Sequence, residues 1–211
     1  MTSPEHFEQP PRLASWLVSL FAPAEEAESI PGDLVEEFSL LVSRSGTAAA
    51  RRWYWRQAVK STIHLFGNGV RGAPWSTLAY VTGGFLLLRF VGGLPDKLLS
   101  AVTDRYLPFW STHFKAYTLV LNAILALHLV VSLFVGCMVG LAAKGREMIA
   151  TTALTLVLCS LIGVAFVSIA THQPPDLAWM LWSCADPLAV MAGGIFVRTR
   201  RLAGTTPTLD A

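Results

Sequence analysis

Three ionisable side chains stand in stretches that are otherwise apolar. Asp186, followed by Pro187, lies in LAWMLWSCADPLAVMAGGIFV; His128 lies in LVLNAILALHLVVSLFVGCMVG; Arg89 lies in LAYVTGGFLLLRFVGG. A charged side chain at the centre of a bilayer costs about 2.5–3.5 kcal/mol on insertion scales, so each must face protein or water, find a partner or change its protonation. Three kinds of chemistry follow. The groups can hydrogen-bond helices to one another. They can form a proton or ion path. His128 alone can act as a haem or chlorophyll ligand, a reading that one histidine supports weakly. His128 and Asp186 fall at similar depth if their helices cross in the same direction, so a His128–Asp186 hydrogen bond is geometrically allowed. Arg89, about four residues from the centre of its own span, reaches toward them from the outer side.

Other site chemistry is not written into the chain. Cys137, Cys159 and Cys184 each sit inside an apolar run, without metal-ligand spacing or a disulfide framework, and read as small apolar residues. No G-x-x-x-x-G-K-[ST] phosphate loop, H-E-x-x-H zinc motif or G-x-S-x-G elbow occurs. No catalytic residue, metal ligand or cofactor is expected, and the chain is not expected to be an enzyme.

The elements that must position these groups follow from composition. The chain has 211 residues, of which 53% are hydrophobic and 14% charged, against about 25% charged in soluble proteins. The deficit is confined to the C-terminal part. Four long apolar runs, 75–94, 117–143, 148–170 and 177–197, each meet the requirement of about 20 residues for a membrane-spanning helix. The first ten residues hold Glu5 and Glu8 and no basic stretch, so the first run is expected to serve as an uncleaved signal anchor. Pro95 and Asp96 are expected to end it, with a loop from 96 to 115 carrying Tyr106, Phe109 and Trp110 as interface aromatics. Gly136 and Gly140 form a small-xxx-small pair for helix packing, and Gly83-Gly84 and Gly193-Gly194 are further small patches. Pro187 is expected to kink the last span and free the carbonyl of Ser183.

Residues 1–10 read as a disordered tail, and 11–66 as a small helical domain. A first helix buries Leu13, Trp16, Leu17, Leu20 and Phe21. A second starts with Asp33 as N-cap and Glu36 as its capping-box partner, buries Leu34, Phe38, Leu41 and Val42, and closes at Gly46. A third, to Phe66, presents Trp55, Val59, Ile63 and Phe66 on one face. Residues 67–74 form a Gly-rich joint, and 198–211 a polar tail. The class is therefore all-α: a small N-terminal cytoplasmic helical domain followed by a four-helix transmembrane bundle.

Arg51, Arg52, Trp53, Trp55 and Arg56 cluster on the third helix. Indole rings favour the headgroup zone and arginines reach anionic lipid, which suits an in-plane interfacial helix. The alternatives are a core of the small domain with a solvated basic face, and a base-stacking nucleic-acid surface. A net charge of +2 gives nucleic acid no support. With the N-terminus inside, twelve Lys and Arg fall on inner segments and three on outer ones, which places both termini in the cytoplasm.

The block from Pro11 to Phe66, which carries PPRLASWLVSLF (from Pro10), GDLVEEFSLL and AARRWYWRQAVKS in that order, resembles the permease prefix domain. That domain precedes the membrane core of macrolide-exporter-like ABC permeases and occurs in short membrane proteins. The resemblance covers about a quarter of the chain. It implies a bacterial cytoplasmic (inner) membrane and one span followed by three. It departs from those permeases in having about 20 residues where they place a large extracytoplasmic domain. The expected function is a non-catalytic membrane subunit, embedded in the lipid bilayer, that docks to or stabilises a larger membrane complex. The alternative is a permease-like transport component working with a separate ATPase.

Overall fold

The structure, a computed structural model, describes residues 9–23, 29–105, 109, 113–170 and 177–205. Tyr106, Trp110, most of the N-terminal tail and the end of the C-terminal tail lie outside them. Among the described residues the secondary structure is entirely helical, and the chain divides into two units at Pro74.

The first unit holds α1 (Arg12–Phe21), α2 (Ser29–Ser45) and α3 (Thr47–Gly72). Its core is Ala14 and Val18 of α1, Phe38 of α2, and Ala50, Tyr54 and Ala58 of α3, with Leu34, Leu41, Val42 and Trp53 packed around it. Phe38 meets Tyr54 edge-on, with ring centroids 5.7 Å apart. The Tyr54 hydroxyl shares a hydrogen bond of 2.7 Å with Ser15, the partner a buried phenol needs. Gly46 adopts φ 78° between α2 and α3, and its N–H bonds the Val42 carbonyl, as its glycine and its place after the apolar stripe imply.

The stripe expected on α1 holds in part: Leu20 and Phe21 are buried, but Leu13 and Trp16 are exposed, and Ala14 and Val18 turn inward. On α3, Trp55, Val59 and Ile63 are exposed, and the neighbouring face of Ala50, Tyr54 and Ala58 is buried. Arg52 falls within the Trp55 stripe and Arg51 and Arg56 flank it, so burying it against the other two helices would desolvate them. The Ala-Tyr-Ala face carries no charge and lets helices approach closely. Trp53 belongs to the core, apart from Trp55. Three boundaries also move. The second helix begins at Ser29, so Asp33 is not its N-cap and no Asp33–Glu36 box forms; Pro31 sits in the first turn, where a missing N–H is tolerated. The third helix runs through Gly67 and Gly69 to Gly72, and only Ala73 (φ −154°, ψ 71°) interrupts the chain before Pro74. Helix also continues beyond Pro95, as described next.

The second unit holds α4 (Pro74–Leu87), a π-helical turn (Leu88–Gly92), α5 (Gly93–Arg105), α6 (Phe114–Ala142), α7 (Glu147–Ala170) and α8 (Leu177–Thr205). Pro95 does not end the helix because the π turn precedes it and Pro95 falls in the first turn of α5. Among the described residues three stretches are long and apolar enough to cross a membrane: Pro74–Val102, Phe114–Ala142 and Glu147–Ser168. The core of this unit is Val135, Val139, Ala143, Ala150, Leu154 and Val190, with Tyr80, Val81, Phe85 and Leu88 packed on it. α6 and α8 run backbone against backbone. A Cβ on Gly136 would fall on the Val190 carbonyl, and one on Gly193 would fall against the α6 backbone at Leu133 and Cys137. Gly140 has more room: its nearest neighbour would be Val197 at 3.3 Å. Gly84 faces Leu154 and Val139, whereas Gly83 faces nothing within 4 Å.

These two glycines predict opposite outcomes. Gly136→Val forces α6 off α8, and overpacking of this kind costs about 1–3 kcal/mol or more. Gly83→Ala removes a helix-interior glycine without a clash and stabilises by about 0.5–1 kcal/mol. Thermal unfolding of the detergent-solubilised protein should show the first shift downward and the second upward.

Candidate functional site

His128 and Ser132 are four residues apart on α6 and so share one face. Asp186 of α8 meets both. The Ser132 hydroxyl donates to Asp186 Oδ1 at 2.9 Å, and His128 Nε2 lies 3.1 Å from Oδ2. Each carboxylate oxygen therefore has its own partner on α6, which satisfies a group that apolar surroundings would otherwise penalise. Ser132 is fully buried, while the His128 and Asp186 side chains are 25% and 29% exposed. Behind the pair, the Thr155 hydroxyl of α7 donates to the Pro187 carbonyl at 3.4 Å, tying the third helix of the bundle to the same point.

The π turn borders this site. Phe85, Leu88, Arg89, Gly92, Gly93 and His128 line a shallow pocket of about 170 Å³. Gly92 lies beside the imidazole, and a Cβ there would make only an ordinary contact, 4.0 Å from His128 Nε2. Single π turns inside α-helices widen the helix and occur often at functional positions. Arg89 thus shares a pocket with His128 but forms no ion pair with Asp186. It is exposed, and among the described residues it has no hydrogen-bond or charge partner. The sequence placed it toward the outer side of a shorter span. Extension of the helix to Val102 puts it beside the midpoint. The pocket is smaller than the about 300–1,000 Å³ typical of ligand sites, and His128 Nε2 is engaged by Asp186. The arrangement is suited to holding helices together.

A second polar cluster lies at one end of the same helix pair. Glu147, the first residue of α7, is 1% exposed. Its Oε1 accepts from the Gly145 N–H at 2.9 Å and from Arg201, and Arg198 Nη1 lies 3.6 Å from its Oε2. Arg201 also donates to the Leu141 carbonyl at the end of α6, at 3.2 Å. One carboxylate thus joins the ends of α6 and α8, the start of α7 and the Gly145 turn. Burial lowers the Arg198 guanidinium from its ordinary value, and the nearby Glu147 charge opposes that change. Sequence reasoning assigned Arg198 and Arg201 only to topology and passed over Glu147. The available signal was a carboxylate directly after a Lys-Gly-Arg turn, in an otherwise uncharged helix start.

Of the other expected positions, Gly136 lies at the helix crossing and Gly140 beside it, and Arg51, Arg52, Trp55 and Arg56 are exposed on α3 while Trp53 is not. Among the described residues no group of three or more His, Cys, Asp or Glu is arranged to hold a metal. Cys137 donates weakly to the Gly193 carbonyl at 3.6 Å; Cys159 and Cys184 are exposed thiols. No family model matches the chain, and neither does any curated protein or solved structure.

Removing Glu147 tests the second cluster. Glu147→Gln leaves Arg198 buried without its counter-charge, which for a buried pair costs about 3–5 kcal/mol. Replacing Glu147, Arg198 and Arg201 together by apolar residues should restore much of that loss. Unfolding midpoints in detergent report both.

Proposed function

We propose that the chain is a non-catalytic integral membrane subunit that docks onto a larger membrane protein complex and stabilises it. In this reading it crosses a bacterial cytoplasmic membrane four times, residues 177–197 of α8 being the fourth crossing, with both termini in the cytoplasm. The N-terminal unit is its cytoplasmic prefix domain, in keeping with the resemblance of its motifs.

The observation that carries the reading is Arg89. Asp186, His128 and Glu147 all have partners within the chain. Arg89, beside the midpoint of a helix long and apolar enough to cross a membrane, is exposed and has none among the described residues. Leu86, Phe90 and Leu94 are exposed near it on the same segment. A guanidinium in that setting is costly alone and is satisfied when a neighbouring transmembrane helix supplies a carboxylate. The second reading, a permease-like component working with a separate ATPase, draws on the His128–Asp186 pair. An imidazole and a carboxylate in contact, both partly exposed and one of them lining a pocket, are side chains that a transport path uses.

Affinity purification of the tagged chain in mild detergent distinguishes the readings. A membrane complex without an ATPase is expected to co-purify. Arg89→Leu should reduce its recovery more than tenfold, since losing one side of a buried charge pair costs about 2–5 kcal/mol. Arg89→Lys should retain part of it. Recovery of an ATPase, unaffected by Arg89→Leu, would favour the transport component instead.

A further inference from the structure

We propose that α3 lies in the plane of the membrane surface, with the face formed by Trp55, Val59 and Ile63 seated on an anionic lipid leaflet. This is independent of the partner that Arg89 meets. The three residues recur every fourth position and are 40%, 45% and 65% exposed. The core of the first unit is complete without them, because Ala50, Tyr54 and Ala58 supply α3's share and Trp53 packs beside them. Among the described residues the stripe is therefore a second, largely open face on one helix that the core of its own unit does not use. On a helix wheel Arg52 falls within this stripe, with Arg51 and Arg56 on either side, and all three are exposed.

Lipid is the occupant that fits both charge and connection. α3 contains Arg51, Arg52, Arg56, Lys60 and Arg71 and no Asp or Glu at all. An uninterrupted positive helix with tryptophan and aliphatic residues among its arginines matches an anionic headgroup layer, where the rings and aliphatic side chains sink and the guanidinium groups meet phosphate. The covalent chain brings the helix there. Only Ala73 separates the end of α3 from Pro74, where the first candidate span begins, and one residue advances the chain by about 3.8 Å. The C-terminal end of α3 is thus held at the bilayer's edge by its own connection.

The test uses the full chain with its three cysteines replaced by alanine, reconstituted in phosphatidylcholine vesicles with or without phosphatidylglycerol. A single fluorophore is attached through Val59→Cys or, as a control on the exposed side of α2, through Glu37→Cys. With phosphatidylglycerol present, the label at 59 should be quenched by bromine-labelled lipid and several-fold less by aqueous iodide than the label at 37. Reversing Arg51, Arg52 and Arg56 to glutamate should abolish that difference while the far-ultraviolet helical signal is kept. Equal iodide quenching at 59 and 37 would overturn the proposal. So would protection of 59 from iodide without quenching by bromolipid, which would mean that protein covers the face.

Discussion

A carboxylate that sits in apolar surroundings has to be bonded by something, and in this molecule that need fixes the α6–α8 pair. Asp186 offers two oxygens, and α6 answers with two groups one turn apart, Ser132 and His128. These bonds form only if the helix axes come close, and Gly136 and Gly193 are what allow it, since a methyl group at either would strike the facing backbone. Polar bonding and close packing therefore depend on each other. Small residues bring backbones together where lipid tails compete equally well for apolar side chains, and a hydrogen bond then gives the contact its register.

The same logic recurs at the Glu147 end of the pair. Arg198 and Arg201 come from α8, the Leu141 carbonyl from α6 and Gly145 from the turn, and all converge on one carboxylate or on its partner. The α6–α8 seam is thus pinned at two places along its length, with Val135, Val139 and Val190 filling the space between. The first candidate span is held differently. It reaches the others through longer side chains such as Tyr80 and Phe85 and through Gly84 against Leu154, and it breaks into a π turn where it meets His128. That contrast leaves Arg89 outside the network.

Much of this was legible in the residues, and the misses have physical causes. Long apolar runs fix α6 and α7 almost to the residue because lipid imposes a length on them. His128 and Asp186 were found because an ionisable group in such a run is conspicuous. Ser132 was not, since serine is common in spans and only its spacing of four from His128 sets it apart. Glu147 escaped because a charge at a helix end looks solvated. In the N-terminal unit, periodicity located the helices and named Leu20 and Phe21, which are buried, but it also included Leu13 and Trp16, which are exposed, and it did not single out the Ala50, Tyr54 and Ala58 face of α3. Hydrophobicity favoured Trp55 and Leu13, whereas burial followed the faces free of charge and lined with alanine, where Tyr54 had Ser15 within reach. The first span ran past Pro95 because a proline stops a helix only when its missing N–H and its ring conflict with the turn before it, and a π turn resets that turn.

The central claim is that Asp186 bonded to Ser132 and His128 fastens α8 to α6. A double-mutant cycle measures it most directly, with unfolding free energies in detergent for Ser132→Ala, Asp186→Leu and the pair together, and the same for His128→Leu with Asp186→Leu. Residues in one hydrogen-bonded network couple by about 0.5–3 kcal/mol, and both cycles are predicted to fall in that range. Effects that simply add in both cycles would contradict the account.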